Sequence, residues 1–176
     1  RNLRVRGTGD ARAPFFTDQD EQRLLFELSQ MSNKNHLRLT KLALATGFRR
    51  SELLSLTWRN IDLKKNKIYV QRKECAARGG PNSMRIVPLP SNAKKLLRSF
   101  ESKEGKVFSF TKGAARNGFD KARKRADLNT LRFHDLRHIA ISRMWSSGMN
   151  ALEISACSGH RDIKMLMRYS HYQLSF

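Results

Sequence analysis

Acidic residues are scarce in this chain: 15 Asp and Glu stand against 35 Lys and Arg, a formal net charge of +20 over 176 residues. So large an excess opposes compaction by self-repulsion unless a polyanion relieves it, which makes nucleic acid the expected partner. Long apolar runs are missing too. Nothing approaches the roughly 20 residues a membrane span needs, and no basic amphipathic helix dominates, so no membrane partner is expected. Cysteine is limited to Cys75 and Cys157. Neither sits in a C-x-x-C pair or beside paired histidines, which excludes a small disulfide scaffold and gives no reason to expect a metal. A signal peptide is absent as well, because the basic residues Arg1 to Arg6 are followed by no apolar core. The chain reads as intracellular, cytoplasmic and reduced. There are no internal repeats and no low-complexity tract.

A length of 176 residues suits one domain with a real core. Residues 1–16 mix Arg, Gly, Asp and Pro14 without a helical or alternating pattern, as expected of a linker from an upstream domain. Helical spacing and capping signals predict helices over Thr17–Met31, His36–Ala45, a short one from Ser51, Ser91–Phe100, Thr111–Ala126, His134–Ser147, Asn150–Ser158 and Asp162–Tyr172. Lys67–Arg72 and Arg85–Leu89 are β-branched and flank a Gly79-Gly80-Pro81-Asn82 loop. They predict a hairpin and carry the only clear sheet signal. The fold class is therefore mainly α with a small antiparallel β-sheet.

Three clusters gather phosphate chemistry: H-D-L-R-H at 134–138, S-G-H at 158–160 and R-Y-S-H at 168–171. His134 and Arg137, three apart, share one helix face and can address one ligand. A Gly159 stop places His160 at a helix boundary, where its imidazole can point into a cleft. Tyr169 is a poor nucleophile at neutral pH, with a phenol pKa of about 10, but Arg168 and His171 flank it. Guanidinium forks match phosphodiester oxygens, and Arg49 and Arg137 can supply two. The DNA-contacting candidates are Arg50, Arg78 in the hairpin loop, and Lys121, Arg123, Lys124 and Arg125 on one helix face.

The ordered set A-T-G-F-R-R-S-E-L-L-S-L-T-W at 45–58, a hairpin ending R-I-V-P-L, then H-D-L-R-H, S-G-H and R-Y-S-H resembles the catalytic domain of the tyrosine recombinases, the phage integrase family. The resemblance runs from Thr17 to Tyr172. Each motif is weak alone, and the ordered set is specific. It implies the DNA breaking-rejoining enzyme fold, with Arg49, His134, Arg137 and His160 around the phosphate, Tyr169 as nucleophile and Glu52 orienting the first Arg. It further implies a 3′-phosphotyrosine intermediate with a free 5′-hydroxyl, then strand exchange leading to integration, excision or inversion, without ATP or metal. Family members act on double-stranded DNA as tetramers holding two sites, follow an upstream core-binding domain, and come from bacteria, phages or plasmids. The family also places a lysine in the hairpin that protonates the leaving oxygen. Lys73 matches it by position, although the loop after Lys73 is longer than usual and holds Arg78. Arg keeps its proton too tightly for that task.

Two rival classes remain at this point. A type IB topoisomerase or telomere resolvase would use the same nucleophile without exchanging partners. A non-catalytic basic module would bind DNA with a strong salt dependence and form no covalent adduct.

Overall fold

The computed structural model describes residues 3–4, 15–71, 84–160 and 162–167. The elements follow in the order β1 (Leu3–Arg4), β2 (Phe15–Phe16), α1 (Asp18–Ser29), α2 (Asn35–Thr46), α3 (Arg50–Ser55), a 3₁₀ turn at Trp58–Asn60 and β3 (Ile61–Asp62). Next come β4 (Lys67–Gln71), β5 (Met84–Pro88), α4 (Ser91–Arg98), α5 (Lys112–Arg125), α6 (Asp135–Ser146), α7 (Ala151–Ser158) and α8 (Lys164–Met167). Among the described residues no helix is long and apolar enough to cross a membrane.

Local chemistry explains most helix ends. Thr17 caps α1 by accepting from the Asp20 backbone N–H at 3.1 Å, while the Asp20 carboxylate accepts from the Thr17 N–H at 2.8 Å. Such a reciprocal pair satisfies two backbone donors that the helix leaves unmet. Asn150 and Glu153 repeat the device at α7. Gly47 and Gly159 end α2 and α7 in the left-handed region, with φ of +66° and +72°, where a side chain is costly.

The core is built on α2, which buries Leu39, Leu42, Ala43 and Leu44 and packs on α1, α4 and α6. Leu24 and Leu28 of α1, Leu136, Ile139 and Ile141 of α6, and Ile154 of α7 close around it. The sheet order is β3-β4-β5, all antiparallel. Ile68 faces Val87 and Val70 faces Arg85 on the buried side, while Lys67, Gln71, Met84, Ile86 and Pro88 are exposed. α7 packs against β5, bringing the end of α7 to the inner face of the sheet.

Several boundaries differ from the sequence expectation. β5 begins one residue early, at Met84, and β4 is described to Gln71. The third strand, Ile61–Asp62, is too short for an alternation to reveal it. Ser91 is the first helical residue of α4 rather than its cap, Pro90 taking that position without a side-chain bond, and the helix stops at Arg98 before Phe100. Phe15–Phe16 pairs with Leu3–Arg4, and Phe16 joins the core. α8 is described only as Lys164–Met167, and the rest of the expected last helix lies outside the described residues.

His36 gives the fold a pH dependence. Its ring stacks on Phe110, with centroids 4.9 Å apart, and lies so close to α5 that a Cβ on Gly118 would fall 2.2 Å from it. Burial lowers its pKa from the ordinary 6.5. The unfolded chain therefore takes up this proton first as pH falls, so stability declines from near 6.5 downward and is fully present above it. The melting temperature is expected to drop with acidification, and more gently in His36→Phe, which keeps the stack without the titration. Identical slopes for the two proteins would remove His36 as a cause.

Candidate active site

Phe48, 1% exposed, pins the turn after α2 into the core, so Arg49 emerges at the core's edge, half-buried, as the cap of α3. Glu52, three residues on, faces back. Its Oε2 accepts from the Arg49 backbone N–H at 2.8 Å and its Oε1 from Arg49 Nη1 at 3.3 Å. Glu52 is buried, which by itself would raise its pKa. The hydrogen bonds and charges of Arg85 and Arg49 outweigh that and hold the carboxyl below its ordinary value.

Arg137 enters from α6. Arg137 is only 3% exposed, and its Nη1 donates to the Gly47 carbonyl at 2.7 Å, two residues before Arg49. Its Nη2 lies 3.3 and 3.4 Å from the two ring nitrogens of His160. The left-handed Gly159 turns the chain so that His160 folds back against α7. There Ser155 Oγ donates to the His160 carbonyl at 2.7 Å, and Ser158 Oγ sits 2.7 Å from Nδ1. Ser158 gives its own proton to the Ile154 carbonyl at 2.6 Å, so it accepts from Nδ1–H, and Nε2 becomes the acceptor atom of the ring.

His134 takes the capping position of α6 with helical backbone angles, one turn before Arg137, and its ring meets His138 edge-on. Burial lowers its pKa, as do the charges of Arg137 and Arg49, while Asp135 acts in the opposite sense. His134 is therefore biased toward its neutral form. His134 and Arg137 line one and the same cavity. Arg49, Glu52, His134, Arg137 and His160, spread over 112 positions of sequence, are thus gathered at one place. Lys73, Arg78 and Tyr169 lie outside the described residues.

Beside this cluster opens a cavity of about 390 Å³ with Phe48, Phe119 and Phe133 in its wall and arginines 50, 116, 123 and 132 around it. Arg116 and Arg132 were not singled out by sequence. They sit on segments whose ordinary charged pattern carried no signal. Lys121, Lys124 and Arg125 are exposed on α5. Arg123 is not part of that exposed face: it donates to Asp120 at 2.8 Å and to the Asn129 carbonyl, with its side chain 18% exposed. A larger groove of about 850 Å³ between α1, α2, α4 and α6 holds none of the expected site residues.

Arg85 is the other residue that sequence reasoning missed. The alternation that turns Val87 inward turns Arg85 inward as well, and a charge on a core face demands a partner. It finds one in Glu52, Nη1 to Oε1 at 2.8 Å and Nη2 to Oε2 at 3.2 Å. Removing one member of so buried a pair costs about 3–5 kcal/mol in general.

This helical frame with its three-stranded antiparallel sheet has the fold of the catalytic domain of bacteriophage HP1 integrase. The two superpose with a TM-score of 0.71 at 27% identity, over 90% of this chain and 88% of that one. The fold also matches the crystal structure of XerA recombinase, TM-score 0.66 at 20% identity. The chain belongs to the phage integrase family, whose pattern matches residues 14–175. It is 36% identical to the shufflon-specific DNA recombinase of Escherichia coli over 153 residues, 86% of this chain and 38% of that protein. It is 33% identical to the integrase of Escherichia phage 186 over 174 residues, 98% of this chain and 48% of that one. The chain thus spans about half or less of the length of these curated relatives.

Proposed function

We propose that this chain is the catalytic domain of a site-specific recombinase acting on double-stranded DNA. The observation that carries the reading is the convergence of Arg49, His134, Arg137 and His160 on one site beside the arginine-lined cavity. The Tyr169 oxygen attacks a phosphodiester as its phenolic proton passes to Nε2 of His160, the P–O5′ bond breaks, and a 3′-phosphotyrosine forms. Arg49 and Arg137 neutralise the charge that builds on the non-bridging oxygens, and the leaving 5′-oxygen takes a proton from Lys73. Attack by a 5′-hydroxyl of a partner duplex reverses the step and completes exchange, leading to integration, excision or inversion. Arg50, Arg116, Arg132, Lys121, Lys124, Arg125 and Arg78 hold the DNA backbone, and four copies on two sites form the working assembly. The relatives' greater length supports reading residues 1–16 as the linker from an upstream core-binding domain, and their phage and bacterial origins support action in the bacterial cytoplasm.

The direct test incubates the chain with a library of randomised nicked duplexes in which cleavage releases a short fragment and traps the enzyme. Covalent protein–DNA adducts that survive denaturation are expected, and sequencing the attached DNA yields the target site. Absence of any adduct would sink the reading. On the recovered duplex, Lys73→Ala is expected to slow cleavage by about 10²–10⁴-fold, the usual worth of a positioned acid. A substrate whose leaving 5′-oxygen is replaced by sulfur needs no proton and should restore most of the loss. Rescue of Arg78→Ala instead would move the acid to Arg78.

A further inference from the structure

Glu52 serves two arginines, and it holds them unequally. Arg85 takes the shorter bond to Oε1, 2.8 Å, with a second from Nη2 to Oε2 at 3.2 Å, whereas Arg49 Nη1 reaches the same Oε1 only at 3.3 Å. Arg85 is 7% exposed and faces the core, so it cannot touch DNA, while the Arg49 side chain is 37% exposed. The Arg85 guanidinium is also enclosed. The Phe48 ring lies 5.3 Å from its Cζ, and a Cβ on Gly159 would come within 2.9 Å of Cζ and Nη1. Its Nε is buried with no hydrogen-bond partner among the described residues. The group is therefore wedged between the turn that carries Arg49 and the turn that carries His160, at the cost of one unmet donor.

We propose that Arg85 is a positioning residue: it is the resident counter-ion of Glu52, and by occupying that carboxylate it keeps the Arg49 guanidinium available for the scissile phosphate. The proposal rests on the recombinase reading of the site. A buried carboxylate must be neutralised, and opposite charges attract far more strongly away from water than in it. Without Arg85 the nearest cation is Arg49, already 3.3 Å away. Arg49 then closes onto Glu52 and retracts from the phosphate. The defect is one of capture, and removing the charge on Glu52 relieves it. A merely structural role for Arg85 allows no such relief.

The experiment measures the single-turnover rate of adduct formation per bound complex, at saturating concentrations of the recovered nicked duplex, for the wild-type chain, Arg85→Met and Arg85→Met/Glu52→Gln. Arg85→Met should be slower by about 10–100-fold, the scale of a misplaced catalytic group. Its Kd for DNA should stay within about threefold, because affinity comes from exposed phosphate contacts that Arg85 does not make. The double variant should be faster than Arg85→Met by at least about threefold, since the Gln amide no longer competes for Arg49 as a charge does. Arg85→Gln, with the same expectations, replaces Arg85→Met if that chain does not fold. A wild-type chain that forms no adduct overturns the recombinase reading and this proposal with it. A wild-type adduct matched in rate by the Arg85 variant, or a double variant no faster than the single one, overturns this proposal alone.

Discussion

Tyr169→Phe should abolish covalent attachment to DNA while leaving the chain bound to it. The substitution removes one oxygen and no charge, so the exposed arginines and lysines proposed to hold the backbone are untouched, and Kd should change by no more than about threefold. The chemical step loses its nucleophile. Removing the attacking group of a catalytic set costs at least about 10⁴-fold, which puts the adduct below detection on a denaturing gel. The phenol depends on its surroundings, since at a pKa of about 10 it is almost wholly protonated near neutral pH. Guanidiniums at the phosphate favour attack by stabilising the charge it produces. Adduct persisting in the Phe variant would remove Tyr169 from the mechanism and leave the recombinase reading to another nucleophile.

Arg137→Gln should be almost as damaging to cleavage and, unlike the change at Tyr169, should also destabilise the fold. The guanidinium joins three segments: α6, the end of α2 through the Gly47 carbonyl at 2.7 Å, and the end of α7 through His160 Nε2 at 3.4 Å. Gln is shorter and uncharged and cannot span these partners. A lost donor at a developing oxyanion costs about 10²–10³-fold in rate. The unmet buried Gly47 carbonyl costs a further 1–3 kcal/mol, roughly, in stability. The measurement pairs single-turnover cleavage with a thermal melt. A lower melting temperature with an unchanged rate per folded molecule would make Arg137 a strut and not a catalytic group. The charge matters separately: losing Arg137 removes one cause of the lowered His134 pKa, so His134 should titrate closer to 6.5 in the variant.

Much of this molecule is visible in its primary structure, for reasons that particular residues make plain. The reciprocal bonds of Thr17 with Asp20 and of Asn150 with Glu153 act over three positions, and a left-handed Gly47 or Gly159 acts at one. Interactions so local leave their mark in any short window. The family, too, is legible, because its motifs keep their order, and the family match confirms the resemblance. β3 escapes because two residues have no period, and Phe16 because a single aromatic does not announce which core it enters. Arg85 was readable in part. Its place on the buried side of β5 follows from alternation, but its partner Glu52, 33 positions away, does not.

Net charge, helix ends, the hairpin and the types of group available to a phosphate were determined by the sequence alone, since each depends on composition or on neighbours a few residues apart. Tertiary structure decided which cations are already paired. It committed Arg85 to Glu52 and Arg123 to Asp120, joined Arg137 to Gly47 across 90 positions, and left Arg49 at the edge of the core. The strength of a charge depends on distance and on burial. Both are properties of the folded chain, and no spacing along the sequence contains them.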